Sequence, residues 1–179
     1  MAVKPIIKIP NVTLNTRCVE IEKITPEIKT LIQDLKDTLE AADNPKGAGL
    51  AAPQIGVTKR VCVVRRFISD PKDPTIEKIK EYVLVNPVIV SKSKETAVWW
   101  EACMSIDDTF GRVERADKIK VEGQDENGEK IKINTSGFFA RVIQHEIDHL
   151  DGILFTSKVI GETLTEKELD KLVEKHKDE

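Results

Sequence analysis

Apolar residues recur at helical spacing in a segment that follows Thr25-Pro26-Glu27. A hydroxyl cap, a proline at the first helical position and an acid in the first turn all favour the start of a helix. Because three or four apolar residues per two turns build one buried face, the pattern predicts an amphipathic helix that ends near Ala42. Its apolar stripe consists of Ile28, Leu31, Ile32, Leu35 and Leu39.

Two further helices are predicted in the second half of the chain. Residues 137–150 are expected to be helical, with Thr135 or Ser136 as the cap and Gly152 in the left-handed conformation beyond the end. Another helix should begin at Thr165, since Thr165-Glu-Lys-Glu168 has the spacing of a capping box. Its apolar stripe, which we expect to be packed, is Leu169, Leu172 and Val173.

Between the first two helices the apolar pattern changes to short β-rich runs. Pro87 indicates a bulge or a sheet edge within one of them, and Asn127-Gly128 suits a tight hairpin because both residues tolerate positive φ. The fold class is therefore α+β, with antiparallel strands packed around a central helix and a C-terminal helix. The predicted strands are 60–66, 82–90, 96–100, 118–122 and 129–134.

Length and composition restrict the kind of protein. With 179 residues, 40% hydrophobic and 33% charged residues and a net charge of −3, one globular domain over 1–179 is expected. The apolar runs are far shorter than the roughly 18 residues that a membrane span needs, and no secretory leader is recognisable, so a cytoplasmic protein is expected. The chain has no run of Lys and Arg, which argues against nucleic acid as a partner.

The segment His145-Glu-Ile-Asp-His149 is the strongest chemical signal. Four residues along a helix separate two side chains by about 40° around the axis and roughly 6 Å along it, so both imidazoles can reach one metal ion. Glu146 can face the same cavity without binding the metal and accept a proton from water. The alternative is a pair of buried, hydrogen-bonded structural histidines.

A catalytic metal site needs a third protein ligand and an open position. Many zinc proteases use an acid downstream of the helix, for which Glu162, Glu166 and Glu168 are candidates. Cys103 competes with them, since a thiolate binds iron, zinc or cobalt strongly. The three cysteines are odd in number and lack a Cys-x-x-Cys pair, so reduced thiols are expected. Both kinds of third ligand remain open on these grounds.

A run of small residues, Gly47-Ala-Gly-Leu-Ala-Ala-Pro-Gln54, precedes the predicted strands. One interpretation is a helix C-cap at Gly47 that is followed by a loop. In the other, the small residues let a peptide approach the backbone, and Gln54 supplies an amide donor for a developing oxyanion.

Taken together, three motifs resemble those of the peptide deformylases. Residues 47–54 match the first motif, Glu101-Ala-Cys-Met-Ser105 the second with two departures, and Gln144-His-Glu-Ile-Asp-His149 the third. The resemblance extends over about residues 20–157. It implies an enzyme that removes the formyl group from the N-formylmethionine of new polypeptides and releases formate.

The resemblance also implies roles for individual residues. Cys103, His145 and His149 would hold Fe²⁺, with Zn²⁺, Ni²⁺ or Co²⁺ as replacements. A water activated by the metal would attack the formyl carbon, with Glu146 as general base and then acid. The side chain of Gln54 and the backbone N–H of Met104 would stabilise the oxyanion.

The same resemblance implies residues that bind the substrate or position other side chains. The methionine side chain would enter a pocket built from Ala48, Val142 and Met104, while Gly49 lets the substrate backbone run alongside. The side chains expected to orient the ligands or tie their helix to its neighbours are Gln144, Asp148 and Arg115, the last two as a pair. The expected partners are formylmethionyl nascent peptides and the ribosome exit region. The protein itself would be a monomer or an oligomer of unknown size.

The second motif departs from the family. Ala102 and Met104 stand where glycine and leucine are usual, and a positive φ at Ala102 would cost about 1 kcal/mol. Asp107 and Asp108 replace a common proline or glycine and add negative charge near the entrance. Two rival functions stay open: another metallohydrolase such as a peptidase, and a silent homologue that only binds peptides.

Overall fold

The computed structural model describes residues 2–42, 46–69 and 77–175. Three α-helices occur within these ranges: α1 (Pro26–Ala41), α2 (Gly137–Leu150) and α3 (Glu166–Lys175). Short 3₁₀ turns lie at Val12–Asn15, Ala52–Ile55 and Phe155–Lys158. The strands are β1 (Gly49–Ala51), β2 (Val61–Ser69), β3 (Glu77–Lys92), β4 (Thr96–Cys103), β5 (Ile106–Ala116), β6 (Lys118–Gln124) and β7 (Lys130–Ser136).

The strands form two antiparallel sheets. One has the order β1-β2-β3-β6-β7, and the other consists of β4 and β5. The predicted α+β class is confirmed, and all five predicted strands are present. Two strands were missed: β1 has three residues, and the buried positions of β5 include Gly111 and Arg115, so β5 lacks an apolar alternation.

Both turn predictions are confirmed, although the hairpin differs from expectation in the conformation of one residue. The pairing of β3 with β6 shifts between Val85 and Val88, which confirms a bulge at Pro87. The hairpin between β6 and β7 is also confirmed, but only Gly128 takes a positive φ, of 84°, and Asn127 does not. Asn127 instead donates its backbone N–H to Asp125 Oδ1 at 2.8 Å, so an Asx turn replaces one of the two expected left-handed residues.

Strand β2 has both faces covered. Cys62 and Val64 pack in a cluster with α2, whereas Val61 and Val63 pack in a cluster with α1. Such a continuous apolar run is what a strand buried on both faces requires. Helix α2 thus lies against one face of the larger sheet and also contacts β5, so it occupies the centre of the molecule.

The helix ends largely follow the sequence signals. Thr25 caps α1 through a bond from Ile28 N, and Thr165 and Glu168 form the predicted capping box of α3. Gly152 has a φ of 73° as predicted. Ser136 stands at the cap position of α2, but its side chain makes no capping bond, which corrects that expectation.

The packing of α3 is looser than its apolar stripe predicted. No residue of α3 within the described range is buried, and 37% of Leu172 and 47% of Val173 is exposed. Helix α3 contacts β5, and this contact leaves Leu172 and Val173 exposed. Among the described residues, no helix combines the length and apolar character of a membrane span.

Candidate metal centre

A thiol and two imidazoles converge at the centre of the molecule. Cys103 ends β4, while His145 and His149 lie one turn apart on α2. One ligand atom from each lies within 4.8 Å of the others, and Cys103 Sγ is 3.2 Å from His149 Nε2. Among the described residues, the acidic candidates Glu162, Glu166 and Glu168 do not belong to this group.

The donor set fits a transition metal. A thiolate and two imidazoles are preferred by Fe²⁺, Zn²⁺ and Co²⁺, and three protein ligands leave a coordination position for a reactant. Cys103 and His145 line a cleft of about 880 Å³, so that position can be reached from outside. Two buried atoms, Glu146 Oε2 and His149 Nδ1, have no hydrogen-bond partner within the described chain, as is common beside a site that binds a ligand.

Glu101 fixes the orientation of His145. Its Oε2 lies 3.0 Å from His145 Nδ1, and Arg115 and Arg141 donate to its carboxylate at 2.5–2.8 Å. Although burial acts to raise the pKa of Glu101, the bonds from Arg115 and His145 hold it well below its ordinary value. The carboxylate is therefore ionised, and it leaves His145 Nε2 directed away from it. Neither Glu101 nor Arg141 had a predicted role, although Glu101 stands two residues before Cys103.

Two expected positioning residues join α2 to β5. Asp148 Oδ2 accepts a bond of 2.7 Å from Arg115 Nη1, and its carboxylate also pairs with Lys158. Gln144 donates from Nε2 to Ala116 O at 2.9 Å. Both contacts fasten the helix that carries His145 to the strand beside it.

Gln54 is directed at the thiol by the turn that follows β1. Its Oε1 accepts from Ala51 N at 2.9 Å, which leaves Nε2 at 3.7 Å from Cys103 Sγ and 3.3 Å from Ser105 Oγ. Gly47 donates to Ala42 O just beyond α1, as a helix end would, but the residues that follow it form a strand rather than a loop. The helix cap expected at Gly47 lies at Ala42 instead, and the oxyanion role of Gln54 stays a prediction.

Glu146 lies buried behind Gly49. A Cβ atom added to Gly49 would come within 2.5 Å of Glu146 Oε1, so only glycine leaves room for the carboxylate. Burial raises the pKa of Glu146 to about 7. A carboxyl group that titrates near neutrality can both accept and donate a proton.

The cleft brings the expected pocket residues together. Ala48, Gly49, Met104 and Val142 all line it, together with aromatic side chains such as Trp100, Phe110 and Phe138. Its apolar walls and the polar groups at its base are typical of a small-molecule or peptide site.

The positions near the cysteine that depart from the family pattern take different forms. Ala102 is not among the residues with positive φ, so the strain considered for it does not arise. Asp108 does adopt a positive φ, of 44°, and its Oδ1 accepts from Glu166 N at the start of α3. Asp107 is exposed and pairs with Lys8.

Sequence comparisons find related proteins over most of the chain. The model of the polypeptide deformylase family matches residues 3–164. Peptide deformylase 1 of Bacillus cereus is 46% identical over 159 residues, which span 89% of this chain and 94% of that protein. Peptide deformylase of Desulfitobacterium hafniense is 42% identical over 158 residues, 88% of this chain and 95% of that protein.

Solved structures share the fold. Peptide deformylase from Ehrlichia chaffeensis in complex with actinonin has a TM-score of 0.78 and 34% identity, covering 99% of this chain and 98% of that one. The class I type b enzyme from Acinetobacter baumannii with Met-Ala-Ser bound has a TM-score of 0.77 and 33% identity, covering 88% and 99%. The chain therefore belongs to the polypeptide deformylase family, hydrolases that remove the N-formyl group from nascent peptides.

Proposed function

We propose that residues 1–179 act as one catalytic domain that hydrolyses the formyl amide of N-formylmethionyl peptides with Glu146 as the acid–base residue. The observation that carries this proposal is a buried carboxylate with an unpartnered oxygen, next to a Cys-His-His cluster at the base of a cleft. A thiolate-containing set of ligands and a proton-transfer group in one cleft are what amide hydrolysis requires.

The proposed metal ligands are Cys103, His145 and His149. A bound divalent ion supplies a Lewis acid that acidifies water and polarises a carbonyl oxygen. The mixed thiolate and imidazole set is compatible with Fe²⁺, Zn²⁺, Ni²⁺ and Co²⁺, and the family resemblance is the reason to propose Fe²⁺ as the physiological ion. Glu101 holds Nδ1 of His145, so the other ring nitrogen is free to bind the ion.

Glu146 carries the proton through the reaction. It removes a proton from the attacking water as the water oxygen bonds to the formyl carbon, and it returns that proton to the nitrogen as the C–N bond breaks. The products are formate and a free amino terminus. A pKa raised to about 7 by burial suits both halves of this cycle.

Two donors are placed for the negative charge that develops on the formyl oxygen. The amide nitrogen of Gln54 lies beside Cys103, and the Met104 backbone N–H is one residue beyond it. Donors that are already oriented lower the barrier because they need no reorganisation during the reaction.

The methionine side chain of the substrate is assigned to the apolar part of the cleft. Ala48, Val142 and Met104 form its walls, and Gly49 lies beside the reacting end. The nascent peptide is therefore the partner, and a location near the ribosome exit would bring the enzyme to its substrate.

The test is formate release from a formyl-Met-Ala-Ser peptide by protein loaded with Fe²⁺ under anaerobic conditions, since oxygen can oxidise a thiolate. Glu146→Gln should retain one metal ion per chain and lose turnover by at least about a hundredfold. Glu166→Gln is the matched control, because Glu166 lines the same cleft but has no proposed role. A loaded wild-type protein that releases no formate, or a Glu146→Gln variant as fast as the wild type, would overturn the proposal.

A further inference from the structure

Residues 6–9, the N-terminal strap, lie at the cleft, which Ile6 and Lys8 line. Three successive donors of the strap bond to backbone carbonyls around the site. Ile7 N donates to Gln54 O at 2.8 Å, Lys8 Nζ to Met104 O at 2.6 Å, and Ile9 N to Ser105 O at 3.0 Å. The strap thus joins the two segments that carry the proposed oxyanion donors.

Lys8 differs from its neighbours because it makes this contact with a charged side chain. Its Nζ also lies 2.5 Å from Asp107 Oδ1, and 46% of the side chain is exposed where it lines the cleft. Lys8 therefore holds the turn between β4 and β5 at two points.

The same turn is held from its other side by α3. Asp108, in the left-handed conformation, accepts from Glu166 N at 2.7 Å. A left-handed residue costs about 1 kcal/mol, so the surrounding contacts have to maintain the turn. Lys8 and the start of α3 thus contact the turn between β4 and β5 from two sides.

The consequence of the Lys8 contact is geometric. An exposed ion pair contributes little to the free energy of unfolding, but a charged donor on a carbonyl gives a strong, directional bond. The Met104 carbonyl belongs to the Met104–Ser105 peptide, so holding it restrains ψ of Met104. Through the Met104 Cα this restraint acts on the preceding peptide, which carries the Met104 N–H.

We propose that Lys8 is a positioning residue that sets the direction of the Met104 N–H toward the formyl oxygen. The inference rests on the proposed function, since it assumes that Met104 is an oxyanion donor. Lys8 acts through Met104 and not by contact with the reacting atoms.

The chain offers a direct spectroscopic test. Met104 is one of two methionines in the sequence, so in protein labelled with ¹⁵N-methionine the Met104 backbone amide signal is identified by its loss in Met104→Leu. In the Zn²⁺-loaded protein, Lys8→Leu should shift this signal. Lys4→Leu is the matched control, because Lys4 pairs with Asp34 on α1 at similar exposure, and it should leave the signal in place.

Kinetics on the Fe²⁺-loaded enzyme separate positioning from other roles. Lys8→Leu should lower kcat about tenfold with KM within about twofold, because a displaced donor weakens the transition state more than the bound substrate. Lys8→Arg should restore most of kcat, since a guanidinium can reach the same carbonyl. Lys4→Leu should match the wild type.

Three outcomes would overturn the inference. An unchanged Met104 signal and kcat in Lys8→Leu would show that the contact is dispensable. A rise in KM alone would make Lys8 a substrate contact, and an equal loss in Lys4→Leu would reflect general docking of the strap. If the wild type released no formate, the proposed function would fail, whereas the Met104 signal would still report whether Lys8 positions this backbone.

Discussion

At the scale of single residues, the site depends on space as much as on charge. Gly49 and Glu146 are far apart in sequence, yet their backbone and side chain lie in contact. The absence of a Cβ at Gly49 is what lets the carboxylate lie at the base of the cleft.

Gly49→Ala is therefore expected to displace Glu146. The added methyl would come within 2.5 Å of Oε1, 2.7 Å of Cγ and 2.8 Å of Cδ, and shifting a proton-transfer group by about 1 Å can cost on the order of a hundredfold in rate. The measurement is kcat for formate release, with metal content determined in parallel and expected to remain near that of the wild type.

A double-mutant comparison makes the cause specific. In a Glu146→Ala background, Gly49→Ala should no longer reduce the free energy of unfolding, because the clashing atoms are gone. An equal loss of stability in both backgrounds would assign the effect to the backbone of β1 instead.

Ionised Glu146 is expected to lower the free energy of unfolding of the metal-free protein. Burial raises its pKa to about 7, above the ordinary value of 4.5, so the folded state binds the proton more tightly than the unfolded state. Stability is then lost as the pH rises from about 4.5 to 7. Glu146→Gln should remove this loss and be more stable than the wild type at pH 8, on the order of 1–3 kcal/mol.

Urea unfolding of both proteins in the presence of a chelator measures the difference. It should shrink as the pH is lowered toward 5, where the carboxyl is protonated in the folded state. A variant that is less stable than the wild type at pH 8 would mean that the carboxylate has a favourable partner there.

The sequence predicted some of these residues and not others for a physical reason. His145 and His149 lie four positions apart on one helix, so local geometry alone brings them together. The bond between Glu101 and His145 joins residues 44 positions apart, and no local pattern can reveal it. The resemblance to the peptide deformylases named Cys103, whereas spacing alone left acidic alternatives open.

At the scale of elements, the relation between α2 and β5 explains how the site is held. Arg115 on β5 bonds to Glu101 on β4 and to Asp148 on α2, so a single side chain joins the elements that supply all three proposed ligands. β5 was not predicted because a buried arginine interrupts its apolar pattern. Arg115, which breaks the apolar pattern of β5, is therefore also the residue that connects β4, β5 and α2 around the cluster.

Arg115→Met should weaken both the fold and the metal centre. The substitution removes the guanidinium that pairs with both Glu101 and Asp148. Breaking a buried ion pair lowers the free energy of unfolding by about 3–5 kcal/mol. Zn²⁺ affinity should fall about tenfold to a hundredfold, because Glu101 would no longer be fixed against His145. Urea unfolding and competition with a chelator measure the two effects.

Arg112→Met is the matched control for this prediction. Arg112 is an exposed arginine of the same strand, three positions before Arg115, and its replacement should change stability by no more than about 0.5 kcal/mol. Equal effects of the two variants would show that the network around Glu101 does not organise the centre.

At the scale of the whole molecule, the proposed metal ligands come from parts of the chain that lie far apart in sequence. Cys103 comes from the small sheet and the histidines from the central helix. Composition indicated a globular protein and periodicity its elements, but neither shows which sheet faces α2. That arrangement follows from burial of β2 on both faces, a property of the assembled chain.

Metal removal should therefore destabilise the whole fold. An ion that binds only the folded state adds RT ln(1 + [L]/Kd) to the free energy of unfolding, or about 4 kcal/mol at a thousandfold excess over Kd. The Tm of the Zn²⁺-loaded protein should exceed that of the chelated protein by several degrees.

Cys103→Ala should abolish the difference, whereas Cys18→Ala, which removes another buried thiol, should retain it. A Zn²⁺-dependent shift that persists without Cys103 would place the stabilising ion elsewhere, and loss of the shift in both variants would point to general damage to the core.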